Sequence, residues 1–396
     1  MLTPTELVGI ADSVVEIYSQ VEQDIVSDIA RRIVKNGYIT ETAKWQIEKA
    51  KEFGYFQGDL EKILADATGK SRNEIAKLMK ESGTIALKRD DAIYRAAGLF
   101  PQSIAKSPAL QAILLQGTND VMALVGNYTR TTAKMANTAY NAILDRTYLQ
   151  IISGAFDQNT AIKMAIKDLA EQGIHKVAYP SGTEQSIESS VRRAVTTGIN
   201  QSVAKLQLAR MDEMGCELVE VSSHMGARPE HAEWQGQVYS RNGKKGKYPD
   251  FVGSTGYGTG AGLCGWNCYH TFYPFFEGLS TRSFSPDPAK DVGKDNDVLY
   301  AQQQKQRLYE RRIRESKKEC VTYSSAIDAC TNAELKADLQ REFTRASVKL
   351  KNREAKLKEF LSKTGRTRYN EREQVYGFNR SVSSKAVWAN RKNKKH

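Results

Sequence analysis

The chain is poor in the residues that staple or interrupt a fold. Nine prolines in 396 residues exclude long proline-rich linkers. The five cysteines, Cys216, Cys264, Cys268, Cys320 and Cys330, are odd in number and suit no disulfide-built scaffold. They read as buried or free thiols. No apolar run approaches the roughly 18 residues that a membrane helix needs, so no membrane partner is expected. The opening stretch, MLTPTELVGIADSVVEIY, lacks the basic segment and unbroken apolar core of a secretory signal. A protein made and kept in a cytoplasm is expected.

Hydrophobic residues make up 40% of the chain, enough to bury a sizeable core, and the length suits two or three domains. The net charge of +12 is unevenly placed. Residues 301–396 hold 25 Lys and Arg against 11 Asp and Glu, whereas the remainder holds 33 against 35. All the excess basicity lies in the last quarter, which points to an acidic partner there, nucleic acid or an acidic protein surface. A solvated basic tail with no partner is the plainer alternative.

The pattern is mainly α. Thr3, Pro4 and Glu6 form a capping box with proline at the first helical position. Leu7, Ile10, Val14, Ile17, Val21, Ile25, Ile29 and Ile33 then recur every three or four residues, and Asn36-Gly37 suits a C-cap. One helix of roughly eight turns is predicted. Further helices are predicted over Ala43–Glu52, after a second capping box at Ser71 and Glu74, after Ser107-Pro108, and over Thr131–Ile152. Others run from Asn159-Thr160 to Gly173 and from Thr183 to Met214. After Gly215 the segment Cys216–Ser223 reads as a strand. Residues 222–278 are dense in Gly, His, Trp, Tyr and Cys, a compact loop-rich module, and Ser283–Pro288 reads as a linker. From Asp295 a charged helical hairpin with a turn near Cys330-Thr331-Asn332 is expected. The basic end beyond it is interspersed with Tyr369, Tyr376, Phe378 and Trp388. The divisions predicted are 1–100 and 101–215, both helical, 216–282, a small α+β module, and 290–396, a helical basic extension.

The module carries the chemistry. His231, Cys264, Cys268 and His270, with His224 in reserve, offer the nitrogen and sulfur donors that zinc takes in tetrahedral sites. The plainer reading makes them packed histidines and small core thiols, with no cofactor. Cys268 beside His231 or His270 is the composition of a thiol dyad. The series Gly253, Gly256, Gly258, Gly260, Gly262 and Gly265 is spaced like a phosphate cradle but lacks the Gly-Lys-Ser/Thr ending of a P-loop. It reads better as a loop whose glycines permit positive φ. Arg228 with Glu230 and Glu233 has two readings, a polar active cluster or, more plainly, a buried salt-bridge and capping network. In the basic end, Lys and Arg would contact phosphates and the aromatics would stack on bases.

The wording of residues 224–278 is distinctive. His224-Met-Gly-Ala-Arg228-Pro229-Glu-His231-Ala-Glu-Trp234-Gln-Gly236, then Gly-Leu-Cys264-Gly-Trp266-Asn267-Cys268-Tyr-His270 and Tyr-Pro-Phe-Phe-Glu-Gly278, resembles the phage minor capsid protein 2 family. That family is similar to the Mu F-like head morphogenesis proteins. They share an Arg-Pro-x-His-x4-Gly element, here Arg228, Pro229, His231 and Gly236, and an Asn-Cys element, here Asn267 and Cys268. Tyr269 stands where many relatives have a basic residue. The resemblance covers residues 1 to about 285. It implies a structural component of a tailed-phage virion, assembled in the host cytoplasm, at or near the portal vertex, acting in head assembly or in DNA packaging or ejection. Portal, major capsid or scaffold proteins would be partners; contact of phage DNA with residues 301–396 is expected from their charge alone, since the resemblance does not reach them. No established catalytic residues are implied. Two rivals stand beside it: a metal-dependent or thiol hydrolase built on His231, Cys264, Cys268 and His270, and a non-specific DNA-binding protein acting through its basic end.

Overall fold

A computed structural model describes residues 2–36, 42–174, 177–178 and 184–393. Of the described residues 72% are helical, with a small three-stranded antiparallel sheet among the rest, the mainly α architecture with a small α+β part expected from the sequence. Helix α1 (Pro4–Gly9) begins at the predicted capping box. Glu6 N donates to Thr3 Oγ1 at 3.2 Å, Thr3 N donates to Glu6 Oε2 at 2.7 Å, and Arg89 grips both Glu6 oxygens. The predicted eight-turn helix is broken at Ile10-Ala11, and α2 (Asp12–Asn36) carries the rest of the stripe. Gly37 lies outside the described residues.

Two predicted breaks are absent from the structure. Helix α3 (Thr42–Ala96) is continuous over 55 residues, about 80 Å. The expected capping box at Ser71 and Glu74 is not a helix start; Ser71 is buried in mid-helix. Helix α4 (Pro108–Ile152) opens after Ser107 as predicted but runs on through Gly117 and Gly126 to join two predicted segments. Close packing explains some of these mid-helix glycines. A Cβ on Gly117 would stand 2.2 Å from Ser202 Oγ, and one on Gly83 2.7 Å from Leu114 Cδ2. One on Gly198 would stand 2.3 Å from Val121 Cγ2. Helix α5 (Gln158–Gln172) is capped by Asp157 and ended by Gly173 at φ +65°. The strands β1 (Val177–Ala178) and β2 (Glu184–Gln185) pair antiparallel ahead of α6 (Ile187–Glu213). Thr183, the predicted start of that last helix, lies outside the described residues.

The chain divides into two compact units. One comprises Met1–Val15, Lys70–Asn127 and Ser189–Gln304; the other comprises Glu16–Gly69, Tyr128–Glu188 and Lys305–His396. Each gathers three separate stretches, whereas the divisions 1–100, 101–215, 216–282 and 290–396 are sequential.

The first unit holds the sheet, in the order β4-β3-β5. Strand β3 (Leu218–Val221), inside the predicted strand segment, pairs on one side with β4 (Val238–Ser240) and on the other with β5 (Phe272–Phe275). All four β3 residues are buried, as a central strand covered on both faces requires. Between them lie the short helices α7 (Pro229–Ala232) and α8 (Phe251–Thr255). The expected linker at 283–288 is not free. Ser283 N and Phe284 N both donate to the buried Glu220 Oε1, at 2.7 and 2.9 Å, and a Cβ on Gly236 would meet Ser285 O at 2.1 Å.

The second unit contains most of the predicted charged hairpin, α9 (Asn296–Ala329) and α10 (Ala333–Thr364), with Cys330-Thr331-Asn332 as the turn and Asn332 as the N-cap. Helix α11 (Arg380–Asn393) buries Val382, Ala386 and Ala389 in the same core as Ile25, Ile29, Tyr140, Ile166 and Leu339. A buried ion cluster crosses this unit: Lys318 meets Glu188 at 3.0 Å and Glu22 at 2.8 Å, and Arg314 meets Glu188 at 3.5 Å. Burial opposes ionisation of Glu188, but Lys318 and Arg314 outweigh it and hold its carboxyl down to about 2. That carboxylate therefore stabilises the fold fully above its ordinary value of 4.5, and the contribution disappears as pH falls towards 2. Glu188→Gln should cost about 2–3 kcal/mol at neutral pH, less than loss of an isolated buried partner because Glu22 remains. Urea unfolding checks this: between pH 4.5 and 2 the parent should lose more stability than the variant, and parallel curves would refute the assignment.

Candidate functional site

The module's histidines and cysteines converge because three structural pieces meet there. The first is the extended segment leading into β5. Carbonyls of alternate residues in an extended chain point to one side, and those of Cys268, His270 and Phe272 are met by one face of α6. Asn200 Nδ2 donates to Cys268 O and to His270 O, each at 3.2 Å, and Gln207 Nε2 donates to Phe272 O at 2.9 Å. Gln207 also meets Asp90 at 2.6 Å, whose carboxyl burial pushes up to about 6.

The second piece is α7. Pro229 sits at its first turn, His231 is buried within it, and Trp234 follows, 7% exposed. Gln235 reaches back from its end, accepting from His224 N at 3.1 Å and lying 3.0 Å from His270 Nε2. The third piece is the glycine loop after α8. Its amides bond to its own chain: Thr259 N to Gly256 O, Leu263 N to Thr255 O, Gly265 N to Gly262 O, Trp266 N to Gly260 O and Cys268 N to Gly265 O. N–H groups used in this way cannot also cradle a phosphate. Gly256 and Gly258 have positive φ, as expected of a glycine loop, but Gly260, Gly262 and Gly265 are there for close approach. A Cβ on Gly262 would stand 2.0 Å from Gly256 O, and one on Gly260 2.7 Å from the Trp266 ring. Two non-glycine residues, Cys264 at φ +60° and Asn267 at φ +54°, adopt the left-handed conformation in this loop, a local cost.

Four aromatic rings pack together as a result. His224 stacks on His270 with centroids 4.4 Å apart, and His231 meets His270 edge-on at 5.4 Å. Trp234 lies 4.6 Å from His231 and 4.9 Å from His270. His231 Nε2 lies 2.8 Å from Ala261 O, and Cys268 Sγ lies 3.7 Å from His270 Nδ1. One ligand atom from each of His231, Cys268 and His270 lies within 4.8 Å of the other two, and all three residues are buried. Of the four ligands predicted from the sequence, the structure gathers these three. Cys264 is buried beside them with its sulfur 3.8 Å from His270 O, outside that cluster. His224 borders the cluster through its stacked ring.

Burial sets the protonation here. It drives His270 well below its ordinary range, helped by His224, His231 and Arg228, and lowers His231. It pushes Cys268 up to about 11 and Cys264 well above its ordinary value. Neutral imidazoles beside protonated thiols are the reverse of an activated thiolate–imidazolium pair. Arg228 does not form the predicted salt-bridge network. Its Nη2 donates to Trp266 O at 3.1 Å, while Glu230 and Glu233 are exposed. Trp266 is 61% exposed, with its ring lying over Gly260. The positioning groups Asn200, Gln207 and Gln235 and the Ala261 carbonyl were missed from the sequence, since nothing in their spacing distinguishes them. All five cysteines are free and buried, as the sequence indicated.

Gly262→Ala should destabilise the protein by about 2–3 kcal/mol, because the Gly256 backbone, 2.0 Å from the added Cβ, must move. Gly54→Ala on exposed helix α3, with nothing within 4 Å of the added Cβ, should be neutral or stabilise by about 0.5–1 kcal/mol. Equal thermal shifts for the two would show that close approach does not fix the loop.

No solved structure matches the chain. A structural protein of Lactococcus phage LL-H is 28% identical over 184 residues, covering 45% of this chain and 48% of the relative. The chain thus spans about half the length of that relative. A structural protein of Lactococcus phage mv4 is 30% identical over 105 residues, covering 26% of this chain and 78% of the relative. The sequence profile described as phage minor capsid protein 2 matches residues 2–362, so α1 through nearly all of α10, and with them the whole His/Cys module, fall inside it, and the chain belongs to the phage minor capsid protein 2 family.

Proposed function

We propose that this chain is built into a tailed-phage virion as a minor component, acts in head assembly at or near the portal vertex, and contacts portal, major capsid or scaffold protein. The family match over residues 2–362 carries the reading. The relatives, which bear the name structural protein, support it. A thiol hydrolase at the module is disfavoured by chemistry, since a thiol raised to about 11 by burial presents no nucleophile at neutral pH. Mass spectrometry of purified heads should find the chain at a few copies per particle, cross-linked to a portal-vertex protein. Its absence from both immature and mature heads would overturn the reading.

The charge of residues 301–396 favours a second role, non-specific contact with phage DNA. That contact would fall on cations the fold leaves exposed. Many of these cations already serve the fold: Lys318 and Arg314 in the buried cluster, Lys349 with Glu319 at 2.7 Å, and Arg368 with Glu373. Of the interspersed aromatics, Phe378 lies under Lys317 and Tyr369 under Arg372. Lys356 and Lys358 on α10 are exposed, and Lys356 borders a groove with Arg345, Lys349 and Arg353. Lys356→Glu with Lys358→Glu should weaken DNA binding by the full chain and lower the slope of log affinity against log salt by about 0.9 for each phosphate left without its cation. Filter binding across a salt series decides it; an unchanged slope and affinity would remove α10 as the DNA surface.

A further inference from the structure

We propose that His231, Cys268 and His270 hold a zinc ion, with the fourth position left to water, and that the ion ties α7, the glycine loop and the approach to β5 into one rigid module. This goes beyond the assembly role and does not depend on it.

The donor set comes first. A thiolate with two imidazoles is the mixed sulfur and nitrogen set that suits a borderline divalent ion such as zinc. The separations come second. Zinc bonds of about 2.3 Å to sulfur and 2.0–2.1 Å to nitrogen at a tetrahedral angle place the two donors about 3.6 Å apart. Cys268 Sγ and His270 Nδ1 stand 3.7 Å apart. His231 completes a trio within 4.8 Å, so modest closure brings all three to bonding distance.

The outer contacts come third. A ligating imidazole ordinarily offers its other ring nitrogen to a carbonyl or carboxylate. Here His231 Nε2 faces Ala261 O at 2.8 Å, and His270 Nε2 faces Gln235 Oε1 at 3.0 Å. Both partners are acceptors, so both Nε2 atoms carry the proton and each Nδ1 keeps its lone pair. For His270 that lone pair points towards the thiol. Two imidazoles in the same tautomer, one of them facing a sulfur, would be an unusual outcome of apolar packing alone. Metal binding would release the thiol proton to solvent, and the thiolate would neutralise half of the ion's charge.

The ion would also account for the strained loop. Cys264 and Asn267 bracket the turn that delivers Cys268, and both are left-handed without being glycine. A bond at Cys268 offsets that cost only if the turn is held in this conformation.

The full chain, purified without chelator, should contain equimolar zinc by elemental analysis. After zinc is replaced by cobalt, it should show a sulfur-to-cobalt charge-transfer band and the intense visible bands of tetrahedral cobalt. Cys268→Ala should abolish the charge-transfer band, His231→Ala should lose the metal, and Gln235→Leu should weaken binding about 10–100-fold. Cys264→Ser should keep both metal and spectrum, and it guards against reading a misfolded variant as a lost ligand. Chelation should lower the Tm of the parent and leave that of Cys268→Ala unchanged. A parent chain with neither zinc nor a cobalt spectrum would overturn the site, and loss of metal in Cys264→Ser would overturn this ligand set.

Discussion

The module depends on how α6 receives the strand that faces it. An extended chain presents its carbonyls in alternation, so Cys268, His270 and Phe272 all direct theirs to one side. Asn200 and Gln207, seven residues apart and so two turns along one helix face, supply the N–H groups. Each buried carbonyl left without a donor would cost about 1–3 kcal/mol. The register of this segment on the helix is therefore fixed by polar contacts as well as by packing. A slip of one residue would present the carbonyls of Tyr269 and Thr271 instead and send His270 to the opposite face.

Everything chemically distinctive follows from that register. His270 is aimed at Gln235, which also takes the amide of His224. Once Gln235 orients the ring, Nδ1 is turned to Cys268. The glycine loop then has to close tightly enough to return Cys268 to that point, and Gly262 against the Gly256 carbonyl is how it does so. Side chains, helix and loop form one set of constraints, and disturbing any member shifts the imidazoles.

The sequence made much of this legible, for identifiable reasons. Local signals act over a few residues and need no partner. Thr3 with Glu6, Ser107 before Pro108, Gly173, and the turn at Cys330–Asn332 therefore appear where predicted. Ser71 with Glu74 shows the same spacing and fails, because the helix already under way continues through it and buries Ser71. Cap preference is worth only about 1 kcal/mol, and burial of a long apolar face outweighs it. Gly83, Gly117 and Gly198 were unreadable for a related reason. A glycine in helix interior weakens the helix by about 1 kcal/mol, and only the neighbouring helix lying against it shows what compensates. At the site, composition pointed to His231, Cys268 and His270, but the exclusion of Cys264 and the roles of Gln235 and Ala261 are matters of direction, which spacing does not encode.

The basic C-terminal quarter shows how charge counted along a chain overstates charge available at a surface. Its excess of cations predicts an acidic partner. Yet α9 to α11 form a packed structure in which Val382, Ala386 and Ala389 are core, and several cations are drawn inward to carboxylates or aromatic rings. An inward cation cannot release a counterion on meeting DNA, so it adds nothing to salt-dependent binding. The cations still able to release counterions are the exposed remainder, of which α10 supplies Lys356 and Lys358. The same separation applies to the module: His231, Cys264, Cys268 and His270 look reactive when read as a sequence, but burial favours the neutral form of each, and their ring and backbone contacts tie neighbouring segments of the module together.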